Sequence, residues 1–162
     1  MKILGVDPGL LNLGCVLIQI VEKGFEILRA ETFKPKRDWE ISKKLFYLYQ
    51  ALKKLIEEEQ PDYVVLEEAI PKANPHSTVK VSQTSSLILL LSEEKGLPLK
   101  VYHPSYWKSF ICGNGLAKKN EVLQFLLRLF KEKIDDKIRD THQADALSLA
   151  LVFALENNFL RL

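Results

Sequence analysis

The chain has 162 residues, of which 47% are hydrophobic, 27% charged and 9% aromatic, with seven Gly and seven Pro. That length suits one domain (residues 1–162) with a single core, and the composition excludes a disordered, collagen-like or low-complexity polymer. The 23 Lys and Arg against 21 Asp and Glu leave a formal charge of +2, yet residues 1–70 hold 10 cations against 12 acids while residues 72–131 hold 9 against 3. A basic central stretch suits a polyanion-binding face, although charge alone favours an ordinary solvated surface. No apolar run, that from Leu87 to Leu91 included, approaches the ~20 residues of a membrane span. Met1-Lys2 passes straight into a strand-like segment rather than a leader, so the expected address is the cytoplasm, with no membrane partner. Cys15 and Cys112 lack any Cys-x-x-Cys or Cys/His cluster, so neither a disulfide framework nor a zinc site is indicated, and both are expected in the core.

Residues 2–6 (KILGV) read as a short apolar strand entering Asp7-Pro8-Gly9, and residues 13–21 and 25–33 as two more strands turning at Lys23-Gly24. Three consecutive strands suggest an antiparallel meander. Ile41, Leu45, Leu48, Leu52, Leu55 and Ile56 recur at steps of four, three, four, three and one, the stripe of a helix closed by Gln60-Pro61. Residues 63–66 (YVVL) form a fully apolar strand delivering Glu67 and Glu68 at its end. Residues 77–94 read as a helix capped by Ser77, 97–102 as a fifth strand, and 104–110, 118–131 and 140–156 as three more helices. The order βββαβαβααα predicts a mixed five-stranded sheet with helices on both faces.

Asp7 directly follows an apolar strand, where a carboxylate is costly unless it meets a cation or donors. Alone, Asp-Pro-Gly more often marks only a turn. Glu67 repeats the arrangement 60 residues later, and strand alternation lets only one of Glu67 and Glu68 face the side of Asp7. In Thr141-His142-Gln143-Ala144-Asp145-Ala146-Leu147, His142 and Asp145 are spaced i, i+3 and share a helix face. Three carboxylates and a histidine at the ends of packed elements are the pieces of a hard-cation site for Mg²⁺.

In order and spacing, Ile3-Leu4-Gly5-Val6-Asp7-Pro8-Gly9 with Gly14, Pro61-Asp62-Tyr63 before Val65-Leu66-Glu67-Glu68, Gly113-x-Gly115-x-Ala117-x-Lys119 and Gln143-Ala144-Asp145-Ala146-Leu147 resemble the RuvC-type Holliday-junction resolvases nearly end to end. The resemblance implies a ribonuclease H-like fold, a homodimer, and metal-dependent nicking of two opposed strands of a four-way DNA junction. It implies Asp7, Glu67 and Asp145 as acidic ligands of two Mg²⁺ ions, with Mn²⁺ a substitute, and 5′-phosphate and 3′-hydroxyl ends. His142 stands where many members have Asp and others His; it lowers the site's negative charge by one and could ligate metal or orient the attacking water. Lys119 matches the family's active-site lysine and Lys108 another basic position near the DNA. Lys118 and Lys119 open a helix where backbone donors and cations could meet a phosphate, although on sequence alone a plain loop before a helix N-terminus is the favoured reading.

The loop after Glu67 carries Ile70 where the best-known members have an aromatic, followed by Lys72 and by Asn74, which aligns with a family Asn. Isoleucine can act as an apolar wedge but cannot supply the ~1 to 3 kcal/mol of base stacking. Ile70, Lys72, Asn74, Lys80, Lys108, Lys118 and Lys119 are the expected DNA contacts. The apolar helix 77–94 has a family equivalent at the dimer interface, and its residues alone equally suit burial within one subunit. The resemblance also suggests cooperation with a branch-migration motor. Two rival readings are a catalytically weak protein that grips branched DNA and a ribonuclease H-type enzyme on RNA-DNA hybrids.

Overall fold

The computed structural model describes residues 1–71 and 74–161. β1 (Lys2–Asp7), β2 (Leu13–Val21) and β3 (Gly24–Phe33) form the antiparallel meander. α1 (Ile41–Glu59) carries the chain to β4 (Tyr63–Glu67), parallel to β1, and α2 (Pro75–Glu94) carries it to β5 (Leu99–Tyr102), parallel to β4. The sheet order is β3-β2-β1-β4-β5, and α3 (Pro104–Cys112), α4 (Lys119–Ile134) and α5 (Thr141–Glu156) complete the chain.

Alternation along the strands divides the core between the two faces. Leu4, Val6, Leu17, Val64 and Leu66 point toward α1 and α2, where Leu48, Leu52, Leu55, Ile56, Ile88 and Leu91 are buried against them. Ile3, Val16, Ile18 and Val65 point the other way, onto α5. Each such aliphatic side chain contributes about 1.5–3 kcal/mol on burial. Residues 143–154 of α5 are all buried, so this helix is apolar nearly all round rather than striped.

α5 lies close to the sheet because glycine stands beneath it. A Cβ on Gly5 would fall 1.9 Å from the carbonyl oxygen of Ala146, and one on Gly14 would fall 2.4 Å from that of His142.

Several boundaries differ from the sequence expectation. α2 starts at Pro75 and is capped by Asn74, not Ser77: Asn74 Oδ1 accepts the His76 N–H, and proline needs no donor in the first turn. β5 starts at Leu99 rather than 97, because the Leu97 N–H donates to the Ser92 carbonyl in closing α2. α3 continues to Cys112, where Gly113 at φ 71° ends it, and α4 continues to Ile134. Cys15 is buried as expected, whereas Cys112 is only half-buried at the margin of the α5 core.

The two types of glycine constraint differ in cost. Gly5→Ala is expected to lose roughly 3 kcal/mol or more of stability, because a methyl would displace α5. Gly96→Ala, at φ 63° with nothing within 4 Å, is expected to lose only about 1 kcal/mol; urea unfolding of both variants measures the contrast.

Candidate active site

The register of the sheet brings the acids together. Val6 pairs with Leu66 in the parallel β1–β4 ladder, so Asp7 and Glu67 leave neighbouring strands at the same end and on the α5 face. Asp7 also pairs with Gly14, over which the first turn of α5 passes, bringing His142 and Asp145 to the same place. Glu68 follows on the other side of the strand and is exposed.

Asp7 and Asp145 are buried, at 6% and 1% exposure. The Lys119 ammonium, from the first turn of α4, donates to Asp7 Oδ2 at 2.8 Å and to Asp145 Oδ2 at 2.5 Å. His142 Nδ1 lies 2.8 Å from the same Asp7 oxygen. An ionised carboxylate only accepts, so Nδ1 carries the proton and, in the neutral ring, Nε2 keeps its lone pair. Glu67 Oε2 accepts the indole N–H of fully buried Trp107 at 2.9 Å. Among the described residues Asp145 Oδ1 is buried without a hydrogen-bond partner.

The electrostatics separate the three acids. Burial pushes the Asp7 carboxyl up, but the His142 hydrogen bond and the Lys119 charge outweigh it and hold Asp7 below the usual carboxylate range. Burial, reinforced by the Asp7 charge, pushes Glu67 up to about 7. Burial likewise pushes Asp145 up to about 6, against the pull of Lys119. Lys119 is disfavoured by burial, yet the two aspartates override this and raise it above an ordinary lysine.

Among the described residues, no three His, Cys, Asp or Glu converge closely enough to hold one metal ion in this arrangement. The donor set nonetheless fits a hard cation. Two buried aspartates share one ammonium, an oxygen of Asp145 is orphaned, and Glu67 feels the negative charge of both aspartates. Each of these features is relieved by positive charge.

A supporting shell went unread in the sequence. Asp140 caps α5, accepting the N–H groups of His142 and Gln143 on Oδ1 and the Thr32 hydroxyl on Oδ2. Gln143 closes the ring by donating to Thr32 Oγ1 at 3.2 Å. The Asp-Thr-His start ahead of an apolar run was a readable capping signal. Trp107, 40 residues from Glu67, gave none.

The expected DNA contacts are dispersed around this centre. Lys108 is half-buried, with its ammonium 5.5 Å from the centre of the Trp107 ring. Lys118 is exposed at the start of α4, its N–H held by Glu121. Ile70 is half-buried after β4, and Lys80 is exposed on α2. Asn74 Oδ1 is occupied in capping α2. Lys72 lies outside the described residues.

Comparison with known proteins bears on the family and the fold. Residues 3–153 match the family model described as crossover junction endodeoxyribonuclease RuvC. The RuvC protein of Wolbachia pipientis is 28% identical over 159 residues, covering 98% of this chain and 94% of the relative. That of Paramagnetospirillum magneticum is 29% identical over 154 residues, covering 95% and 91%. Thermus thermophilus RuvC in complex with a Holliday-junction substrate superimposes with a TM-score of 0.84 at 24% identity, over 98% of this chain and 96% of that one. The yeast mitochondrial Holliday-junction resolvase Ydc2 gives a TM-score of 0.65 at 18% identity, over 91% and 76%. These likenesses establish the ribonuclease H-like fold, and the match over residues 3–153 establishes that the chain belongs to the RuvC family of crossover junction endodeoxyribonucleases, a family of metal-dependent nucleases.

Proposed function

We propose that this protein resolves four-way DNA junctions by symmetric nicking of two opposed strands, leaving 5′-phosphate and 3′-hydroxyl ends. The observation that carries the reading is the meeting of Asp7, Asp145 and Lys119 beside Glu67, inside a chain that matches the RuvC family over residues 3–153. A pure DNA-binding surface has no use for buried carboxylates facing phosphates, since each costs desolvation and repels the ligand.

Asp7, Glu67, His142 and Asp145 would hold two Mg²⁺ ions, or Mn²⁺ in substitution. Bound there, such ions supply an activated water nucleophile and stabilise the leaving 3′ oxygen. Lys119 carries a full positive charge at any working pH and is placed to neutralise the scissile phosphate. His142 holds its proton on Nδ1 toward Asp7, which orients the ring and leaves Nε2 to ligate or to accept a proton from water. Asp140, Thr32 and Gln143 fix the first turn of α5, and Trp107 fixes Glu67.

We read residues 1–162 as one nuclease domain that works as a homodimer. Val79, Leu89 and Leu90 of α2 are exposed while Ile88 and Leu91 are buried against α1, so the helix has apolar surface to spare for a two-fold partner. Cooperation with a branch-migration motor follows from the family reading alone. Among the described residues no helix is long and apolar enough to cross a membrane, and a DNA substrate fits an address in the cytoplasm.

Asp7→Asn is expected to abolish nicking of a labelled mobile four-way junction, by roughly 10³-fold or more, while junction binding survives. Lys119→Ala should slow nicking by roughly 10²-fold. Parallel assays with linear duplex and RNA-DNA hybrid decide the substrate: preferential cutting of the hybrid, or tight junction binding with no nicking under Mg²⁺ or Mn²⁺, would overturn the assignment.

The raised acids also predict a pH dependence. With Glu67 at about 7 in the fold against 4.5 ordinarily, and Asp145 at about 6 against 3.8, the folded chain binds more protons than the unfolded one between those limits. Stability therefore falls as pH rises through this window, whereas the contribution of the lowered Asp7 is lost only in stronger acid. Chelator-treated protein should melt on the order of 5 °C lower at about pH 8 than at about pH 5. Glu67→Gln should flatten that slope, and added Mg²⁺ at the higher pH should recover the loss; a scanning fluorimetry series measures it.

A further inference from the structure

The charge balance of residues 1–70 conceals a local concentration. Residues 34–44 (KPKRDWEISKK) hold five of the ten cations in that stretch against two acids. The fold places this segment at the catalytic end of the sheet. Asp7, Gly14 and Thr32 are paired across β1, β2 and β3, and the chain leaves β3 at Phe33, one residue beyond Thr32. Lys34 then reaches to 3.9 Å from Asp140, the residue that caps the helix bearing His142 and Asp145.

The segment is a constructed surface rather than a loose basic loop. Pro35 is buried, the Lys44 ammonium donates to the Arg37 carbonyl at 2.7 Å, and the Trp39 N–H donates to the Lys36 carbonyl. Trp39 is half-buried, edge-on to Tyr47 at 5.8 Å, with the Lys43 and Lys36 ammonium groups 4.6 and 6.0 Å from its ring centre. The indole thus gathers two cations on one platform. Among the described residues Lys36, Arg37 and Lys43 make no ion pair with any carboxylate, and all three are exposed.

We propose that Lys36 and Lys43, gathered over Trp39, together with neighbouring Arg37 form a phosphate-binding surface for a double-helical arm leaving the junction. This inference rests on the reading of the protein as a junction nuclease. It extends the DNA footprint from the catalytic end of the α5 face to the β3–α1 corner. Three cations without a carboxylate partner among the described residues, two of them over an aromatic ring, match a polyanion. With Lys43 stationed over the Trp39 ring, the platform presents charge to phosphates rather than an open face to an unpaired base.

The test compares wild type with the Lys36→Ala/Arg37→Ala/Lys43→Ala variant, exposed positions whose replacement leaves the core intact. Fluorescence anisotropy on a four-way junction with arms of about 25 base pairs is read across a salt series. The slope of log affinity against log salt is expected to shrink by about 2 to 3, with binding at least about tenfold weaker near 0.1 M salt. Phosphate-ethylation interference should fade on the arms and persist at the crossover, and nicking at saturating protein should stay within about twofold of wild type. An unchanged slope and interference pattern would overturn the proposal, as would loss of interference at the crossover alone. Failure of the wild-type protein to nick the junction would instead strike the functional reading, since the salt slope reports the surface independently of cleavage.

Discussion

Everything in this structure turns on the cost of burying negative charge at the tips of apolar elements. β1 and the first turn of α5 deliver Asp7 and Asp145 into a place from which water is nearly excluded, and two such carboxylates repel strongly at low dielectric. The Lys119 ammonium meets both of them, and His142 meets Asp7 on the other flank. The charge is only partly balanced: Glu67 and Asp145 remain pushed toward their protonated forms, and one oxygen of Asp145 stays unmatched. A site in this condition is poised for additional positive charge, which is the electrostatic requirement of a nuclease that handles divalent ions and phosphates.

The scaffold serves that arrangement through close approach. Gly5 and Gly14 let the backbone of α5 lie where a methyl group would collide, and the nearly all-round apolar surface of α5 holds it there against the sheet. The hydrogen-bonded ring of Thr32, Asp140 and Gln143 then fixes the helix start. A displacement of the first turn of α5 would carry His142 and Asp145 with it, so packing far from the acids controls their mutual geometry. The basic corner after β3 shares this framework, because Lys34 and Thr32 reach the same Asp140.

How much could be read beforehand depended on the range of the interaction. The stripe of α1 and the apolar runs of β1 and β4 are local periodicities, and they formed the expected elements. The caps were less legible: Asn74 rather than Ser77 begins α2, because Asn-Pro-His offers a side-chain acceptor followed by a residue that needs no donor. The grip of Trp107 on Glu67 joins residues 40 apart and leaves no periodic trace. Averaging charge over residues 1–70 hid the cations of the segment from 34 to 44, which matter because they are close to one another and not because of their sum.

The sequence by itself determined the elements, their order and the identity of the acids, because hydrophobic periodicity, turn chemistry and a carboxylate at a strand end are properties of neighbouring residues. The ordered motifs also carried the family. Only the tertiary structure decided that Asp7 and Glu67 stand side by side, that Lys119 lies between two aspartates, and that the proton of His142 faces Asp7. These relations arise from strand register and helix docking between segments well separated in the chain, from 26 residues for Lys119 and Asp145 to 135 for Asp7 and His142, and no local pattern encodes a distance across such separations.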